Sequence, residues 1–183
     1  IGRIEPRAGV EYIALALNAR GVERRAAFEP VPLTPPPAMG RTQVHLCDVF
    51  VQRNAGRTQA AELGSHARSI ADAVAKGFTD ATVAINASFG SNWLGRFDHE
   101  TRMGFLRSQI EAWTAAGITP THTWIGDPMS WNSPRAMEEL LTEMQQEWPH
   151  LTAYHLHLHD ARGSALTTAY VAMRTLSADK RLT

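Results

Sequence analysis

Cysteine occurs once in the chain, at Cys47, so no internal disulfide framework exists and the composition is compatible with a reducing compartment. An excess of either charge is equally absent. Lys plus Arg and Asp plus Glu each number 18, which gives no reason to expect nucleic acid or an anionic membrane surface as a partner. No apolar run approaches the roughly 20 residues that span a bilayer, and the opening stretch IGRIEPRAGV lacks the apolar core of a signal peptide. A cytoplasmic location is therefore expected. No glycine-rich phosphate fingerprint, Walker motif or CxxC pair appears. What remains is an ordinary globular composition, 183 residues with 44% hydrophobic side chains, enough for one well-buried core in a single domain over 1–183.

Short β-like runs alternate with longer helical patterns. VEYIALAL, from Val10 to Leu17, reads as a buried strand, and ARGVERRAAF as a short helix after it. EPVPLTPPPAMG holds five prolines between Pro30 and Pro37 and reads as a stiff surface loop. A second strand is expected over Thr42–Phe50. The helix after it runs near Thr58–Lys76, with Leu63, Ala67, Ile70 and Val74 on one face and Gly77 as its stop. ATVAINASFG predicts a third strand ending at Gly90, followed by a helix capped by Asp98 and stopped at Gly117. THTWIGDP gives a fourth strand ending at Asp127. Ser133 then caps a helix with Pro134 in its first turn and Pro149 as terminator. LTAYHLHLHD is the fifth strand, GSALTTAYVAMRTL its helix, and DKRLT the approach to a sixth strand. Strand then helix, repeated about five times, argues for a parallel sheet covered by helices. In such folds ligand chemistry gathers at the carboxyl ends of the strands. Three of those ends carry an aspartate: Asp48, Asp127 and Asp160.

The most informative stretch is YHLHLHD, Tyr154 to Asp160. Residues two apart in a strand share a side, so His155, His157 and His159 line one face. Two imidazoles so placed lean onto one cation at about 2.1 Å each. Neutral imidazole suits Mn²⁺, Fe²⁺ or Zn²⁺, and Mg²⁺ when carboxylates complete the shell. His157 and His159, at the strand's end, are the expected metal ligands. His155 lies one step deeper, where a packing role is expected, and Asp160 points to the other side and orients a loop. Cys47, alternating with His45, reads as a packing residue. Trp93 and Trp131 fall on loops above strand ends, within reach of a substrate.

WIGDPMSWNSPRAMEELL and YHLHLHDARGSALTTAYVAM resemble the hydroxymethylglutaryl-CoA lyase family, part of the wider group of metal-dependent lyases and Claisen-type synthases on a TIM barrel. That family shows a strand ending in Gly-Asp-Thr, a helix starting near a Pro, then a strand ending in His-x-His-Asp. Gly126, Asp127, Pro134, His157, His159 and Asp160 fall on those positions in order. EYIALALNARGVERR is similar to the family's strand ending in Asn, matched by Asn18. CDVFVQRN resembles a carboxylate–aromatic–Asn motif, matched by Asp48, Phe50 and Asn54. The resemblance implies a (β/α)₈ barrel, of which this chain supplies about five strand–helix units. It also implies a divalent cation, Mg²⁺ or Mn²⁺, held partly by His157 and His159. The implied reaction cleaves a 3-hydroxy-3-methylglutaryl-CoA-like acyl-CoA to acetyl-CoA and a 3-oxo acid. Asp127 is the residue it assigns to proton traffic, with Asn18, Asp48 and Asn54 contacting substrate.

The chain departs from that pattern in several places. The Thr after the family's Asp is Pro128, the Ser three residues before it is Trp124, and SFGSNWLG lacks the family's loop cysteine. A closed barrel needs roughly 250 residues. The family's Asp-Arg-Glu motif is expected before Ile1, and its later Asn ligand and reactive-cysteine loop beyond Thr183, unless a partner chain completes the sheet. The alternatives that stay open are a Claisen-type synthase or 2-oxo-acid aldolase on the same barrel, and an inactive metal-binding paralogue. The acyl-CoA is the expected partner, and homo-oligomerisation is left open.

Overall fold

The computed structural model describes residues 5–14, 16, 19–28, 33 and 38–183. The chain divides into two compact units, Ile1–Ala38 and Met39–Thr183. In the first, helix α1 (Ala19–Ala26) occupies the stretch expected to be helical. The strand expected over 10–17 is reduced, among the described residues, to one parallel bridge between Tyr12 and Leu33. Most of the proline-rich loop lies outside the described residues, as does Asn18.

The second unit is built on strand–helix repeats. Strand β1 (Gly40–His45) leads to helices α2 (Asp48–Ala55) and α3 (Gln59–Ala75). Strand β2 (Ala81–Asn86) is followed by a small hairpin, β3 (Gly90–Ser91) with β4 (Gly95–Arg96), and then helix α4 (His99–Ala115). Strand β5 (His122–Asp127) precedes α5 (Pro134–Glu147), strand β6 (Ala153–Leu158) precedes α6 (Ala165–Thr175), and β7 (Arg181–Leu182) closes the order. The five long-range strands form one parallel sheet, ordered β1-β2-β5-β6-β7. Each helix crosses back over the same face, as right-handed βαβ connections require.

Local chemistry sets the boundaries. Thr58, Asp98 and Ser133 accept hydrogen bonds from the third-residue N–H of α3, α4 and α5, satisfying donors that a helix start leaves open. Gly77 and Gly117 take the left-handed conformation just after two helix ends. Two expected strands are shorter than their apolar runs. The β1 strand stops at His45 because Cys47 becomes the cap of α2, its sulfur accepting from the Phe50 N–H at 3.4 Å. The β2 strand stops at Asn86 because Ala87 turns to φ 50° and leads the chain into the hairpin.

The two sheet faces differ. Val44, Val83, Ile85, Ile125 and Tyr154 pack beneath the helices with Met103, Leu106, Trp113, Leu140, Leu141 and Met144. Trp113 lies so close over Gly40 that a β-carbon there would stand 2.2 Å from the indole, and its Nε1–H donates to Thr42 Oγ1. The opposite face carries Arg41, Gln43 and His45 from β1, Ala84 and Asn86 from β2, Trp124 and Gly126 from β5, and His155 and His157 from β6. Register aligns these into rows: Gln43, Ala84, Trp124 and His155 in one, and His45, Asn86 and His157 in the row above it, with Gly126 opposite His157. This is the interior of a barrel wall, with a polar lining that rises toward the carboxyl ends. Among the described residues, no helix is long and apolar enough to cross a membrane.

Candidate active site

The carboxyl edge of β6 brings the paired histidines together. The strand ends at Leu158, and His159 lies one residue beyond it, its N–H donating to the Asp127 carbonyl at 3.4 Å. The Nε2 atoms of His157 and His159 face each other at 3.2 Å. Two nitrogens bound at about 2.1 Å and at right angles around one ion stand about 3 Å apart, so the pair fits as two adjacent ligands of a single cation. Both rings are exposed at the mouth. Among the described residues no group of three or more His, Cys, Asp or Glu side chains is placed to hold a metal.

Below the pair, Trp124 fills the barrel interior. Its ring stacks on His155 at 3.8 Å and 21°, and on His157 at 5.7 Å and 25°. The Arg41 guanidinium covers the indole at 4.9 Å. Ala84, between Arg41's strand and Trp124, is small enough to leave that space open. His155 Nδ1 lies 3.0 Å from Thr183 Oγ1. Burial, then the neighbouring charges of His157 and Arg41, hold the His155 pKa below its ordinary value. His155 is thus a packing residue beneath the pair.

The three strand-end aspartates all brace loops. Asp127 is fully buried and accepts from the N–H groups of Trp131 (3.0 Å) and Asn132 (2.7 Å) and from the Asn132 side chain. Asp48 accepts from the Gln59 N–H at 2.7 Å and from the Gln52 side chain, tying α2 to α3. Asp160 accepts from the Ala165 N–H at 2.8 Å and so caps α6. Asn54 is exposed in the last turn of α2, and Asn18 falls outside the described residues. His157 and His159 are therefore brought together at the mouth, whereas Asp127 is buried on the helix-facing side of β5 in step with Ile125, and Asp48 and Asn54 sit on α2.

The rim is aromatic and cationic. Trp131 packs against Gly90, where a β-carbon would meet the ring at 2.8 Å, and its Nε1–H donates to Asn92 at 3.0 Å. The Arg162 guanidinium lies 4.1 Å over that indole, and Arg53 lies 5.3 Å over Trp93. Neither arginine has a carboxylate partner among the described residues.

One cluster escaped the sequence reading. Glu62 is buried beneath His45, accepting from its backbone N–H at 2.9 Å and lying 2.9 Å from its Nδ1 through both oxygens. Arg57 donates to the same carboxylate at 2.7 and 3.0 Å. On the other side of the ring, Asn86 Nδ2 stands 3.2 Å from His45 Nε2. Burial pushes the Glu62 carboxyl up, but the hydrogen bonds from His45 and Arg57 outweigh it, leaving its pKa below the ordinary value. The legible trace was a carboxylate on the inner stripe of α3, in step with Ile70 and Ala73, while Leu63 and Val74, expected there, are partly exposed.

The fold is a section of a (β/α)₈ barrel, with His157 and His159 together at the carboxyl end of β6. Solved structures make the likeness specific. An HMG-CoA lyase from Acinetobacter baumannii, in complex with coenzyme A and 3-methylmalate, aligns over 99% of this chain with a TM-score of 0.62 at 17% identity. HMG-CoA lyases from Bacillus subtilis and Pseudomonas aeruginosa align with TM-scores of 0.65 and 0.60, each at 21% identity, over 96% and 93% of the chain. The chain spans about half the length of each, 53, 53 and 52% respectively. No protein-family profile matches the chain, and no curated protein sequence does. The chain shares the fold of these lyases.

Proposed function

We propose that this chain carries part of the active site of a divalent-metal-dependent carbon–carbon lyase that acts on a 3-hydroxy acyl-CoA, with hydroxymethylglutaryl-CoA as the first substrate to try. The single observation that carries the reading is the 3.2 Å approach of His157 and His159 Nε2 at the mouth of the barrel wall. His157 and His159 would hold the ion, Mg²⁺ or Mn²⁺. Such an ion polarises a hydroxyl and a neighbouring carbonyl together, the chemistry that retro-aldol cleavage requires.

The chain's own residues complete the picture. Trp124 sets a floor under the two imidazoles and limits how deeply an acyl group enters. Arg53 and Arg162, held over tryptophans at the rim and without a carboxylate partner among the described residues, are suited to the phosphates of a coenzyme A thioester. Asp127, the residue expected to handle proton traffic, is fully buried with both oxygens committed to hydrogen bonds. The role for which its geometry speaks is to brace the loop 128–132, since three N–H donors occupy its oxygens.

Titration calorimetry with Mn²⁺ tests the ligand pair. His157→Ala and His159→Ala are each expected to abolish stoichiometric binding, whereas His155→Ala retains it. Unchanged binding in His157→Ala would defeat the reading. Release of acetyl-CoA from hydroxymethylglutaryl-CoA or a close analogue, followed by mass spectrometry with metal present, then separates the lyase from its alternatives.

A further inference from the structure

The buried Glu62–His45 pair serves nothing in the reading above, yet it is built at a cost. A carboxylate and an imidazole, both only 3% exposed, are removed from water and joined to each other rather than to solvent. Hydrogen bonding fixes the order of protons along the chain of contacts. Glu62 accepts from His45 Nδ1–H, and the Asn86 NH₂ group facing Nε2 makes that nitrogen the acceptor of a neutral ring. Asn86 thus keeps its NH₂ group toward His45. Its carbonyl oxygen is forced to the opposite side, where it accepts from the Ala87 N–H at 3.0 Å and lies over Gly126.

Gly126 makes this placement possible. A β-carbon there would stand 2.3 Å from Asn86 Oδ1 and 2.8 Å from its Cγ. The next residue across the sheet from Gly126 is His157. The Asn86 oxygen therefore projects onto the strand that borders the histidine pair, on the same inner face, and one of its lone pairs remains uncommitted after the bond to Ala87.

We propose that Asn86 is a substrate-contacting residue, its amide oxygen accepting a hydrogen bond from the hydroxyl of the ligand held beside His157 and His159, and that Glu62 and His45 are positioning residues which stop the amide from turning over. Asn has two similar ends, and the mouth needs only one of them. A buried polar pair is a poor source of stability, and here its hydrogen bonds specify which end of the amide faces inward. This inference rests on the hydroxyacyl-CoA reading and adds to it the group that recognises the hydroxyl.

The test compares binding of 3-hydroxy-3-methylglutaryl-CoA with that of 3-methylglutaryl-CoA, which lacks the hydroxyl, to the full chain with Mn²⁺ present. Asn86→Leu is expected to reduce the preference for the hydroxylated thioester about tenfold, the loss of one neutral hydrogen bond. Affinity for the deoxy analogue and for Mn²⁺ alone should stay as in the wild type. Gly126→Ala keeps the asparagine but displaces its amide, and is expected to give the same loss. In Glu62→Gln the amide is free to turn, and part of the preference goes while Mn²⁺ binding stays. A wild-type preference retained in both Asn86→Leu and Gly126→Ala would overturn the assignment while leaving the lyase reading intact. Failure of the wild type to bind either thioester would overturn both.

Discussion

Tyr154 shows how a single buried atom trades against packing. Its ring belongs to the core at 1% exposure, but its hydroxyl is buried with no hydrogen-bond partner among the described residues. Burial, with the nearby Asp179 charge, pushes its pKa up to about 12. A buried donor left unmade is costly, and removing it while keeping the ring recovers that cost. Tyr154→Phe is thus expected to match the wild type or exceed it by up to about 1 kcal/mol in denaturant unfolding. A clear destabilisation would show that the hydroxyl has a partner. At this scale the sequence was most readable where one residue type fits one task. Asp98, Ser133 and Gly117 stand where capping and helix termination require them. The strand-end aspartates were readable as to place but not as to partner. Whether a carboxylate faces a ligand or folds back onto its own loop depends on N–H groups several residues away, and periodicity carries no information about them.

Helix α3 shows the same principle one level up. Its inner stripe combines Ile70 and Ala73 with Glu62, which fastens the helix to the end of β1 through His45 and Arg57. The folded state holds the Glu62 pKa below its unfolded value, so its contribution is present in full above the ordinary carboxylate range. That contribution is lost as pH falls through the folded-state value. Glu62→Ala should therefore cost about 3 kcal/mol at neutral pH, two buried His45 donors being left unpaired. Paired urea titrations at neutral and acid pH should show the difference between variant and wild type shrinking in acid, and a constant gap would contradict the linkage. The helix itself was legible to within a residue at each end. The face it buries was not, because the 3.6-residue pattern ranks Leu63 above a carboxylate, and only His45 on another element reverses that order. Likewise, the Thr42–Phe50 run promised a longer strand than β1, since nothing in an apolar run reveals that a cysteine will cap the next helix.

At the scale of the molecule, among the described residues every member of the main core cluster lies between Val44 and Leu182. Residues 39–183 are accordingly expected to unfold cooperatively on their own, with a melting midpoint within about 3 °C of the whole chain by circular dichroism. A much lower midpoint would assign Ile1–Ala38 a share in the core. The alternation of elements and the parallel order were legible from the sequence because both depend on composition over ten or more residues. The rows that cross the sheet were not. They depend on register, which places Trp124 against His155 and Asn86 beside Gly126 across tens of residues of chain.

The stacking of Trp124 on His155 and His157 has an optical consequence. Indole emission is sensitive to a protonated imidazole or a paramagnetic ion in contact with it. Trp124 emission is thus expected to dim when the rings stacked on it become protonated and, on the metal reading proposed above, when Mn²⁺ is added.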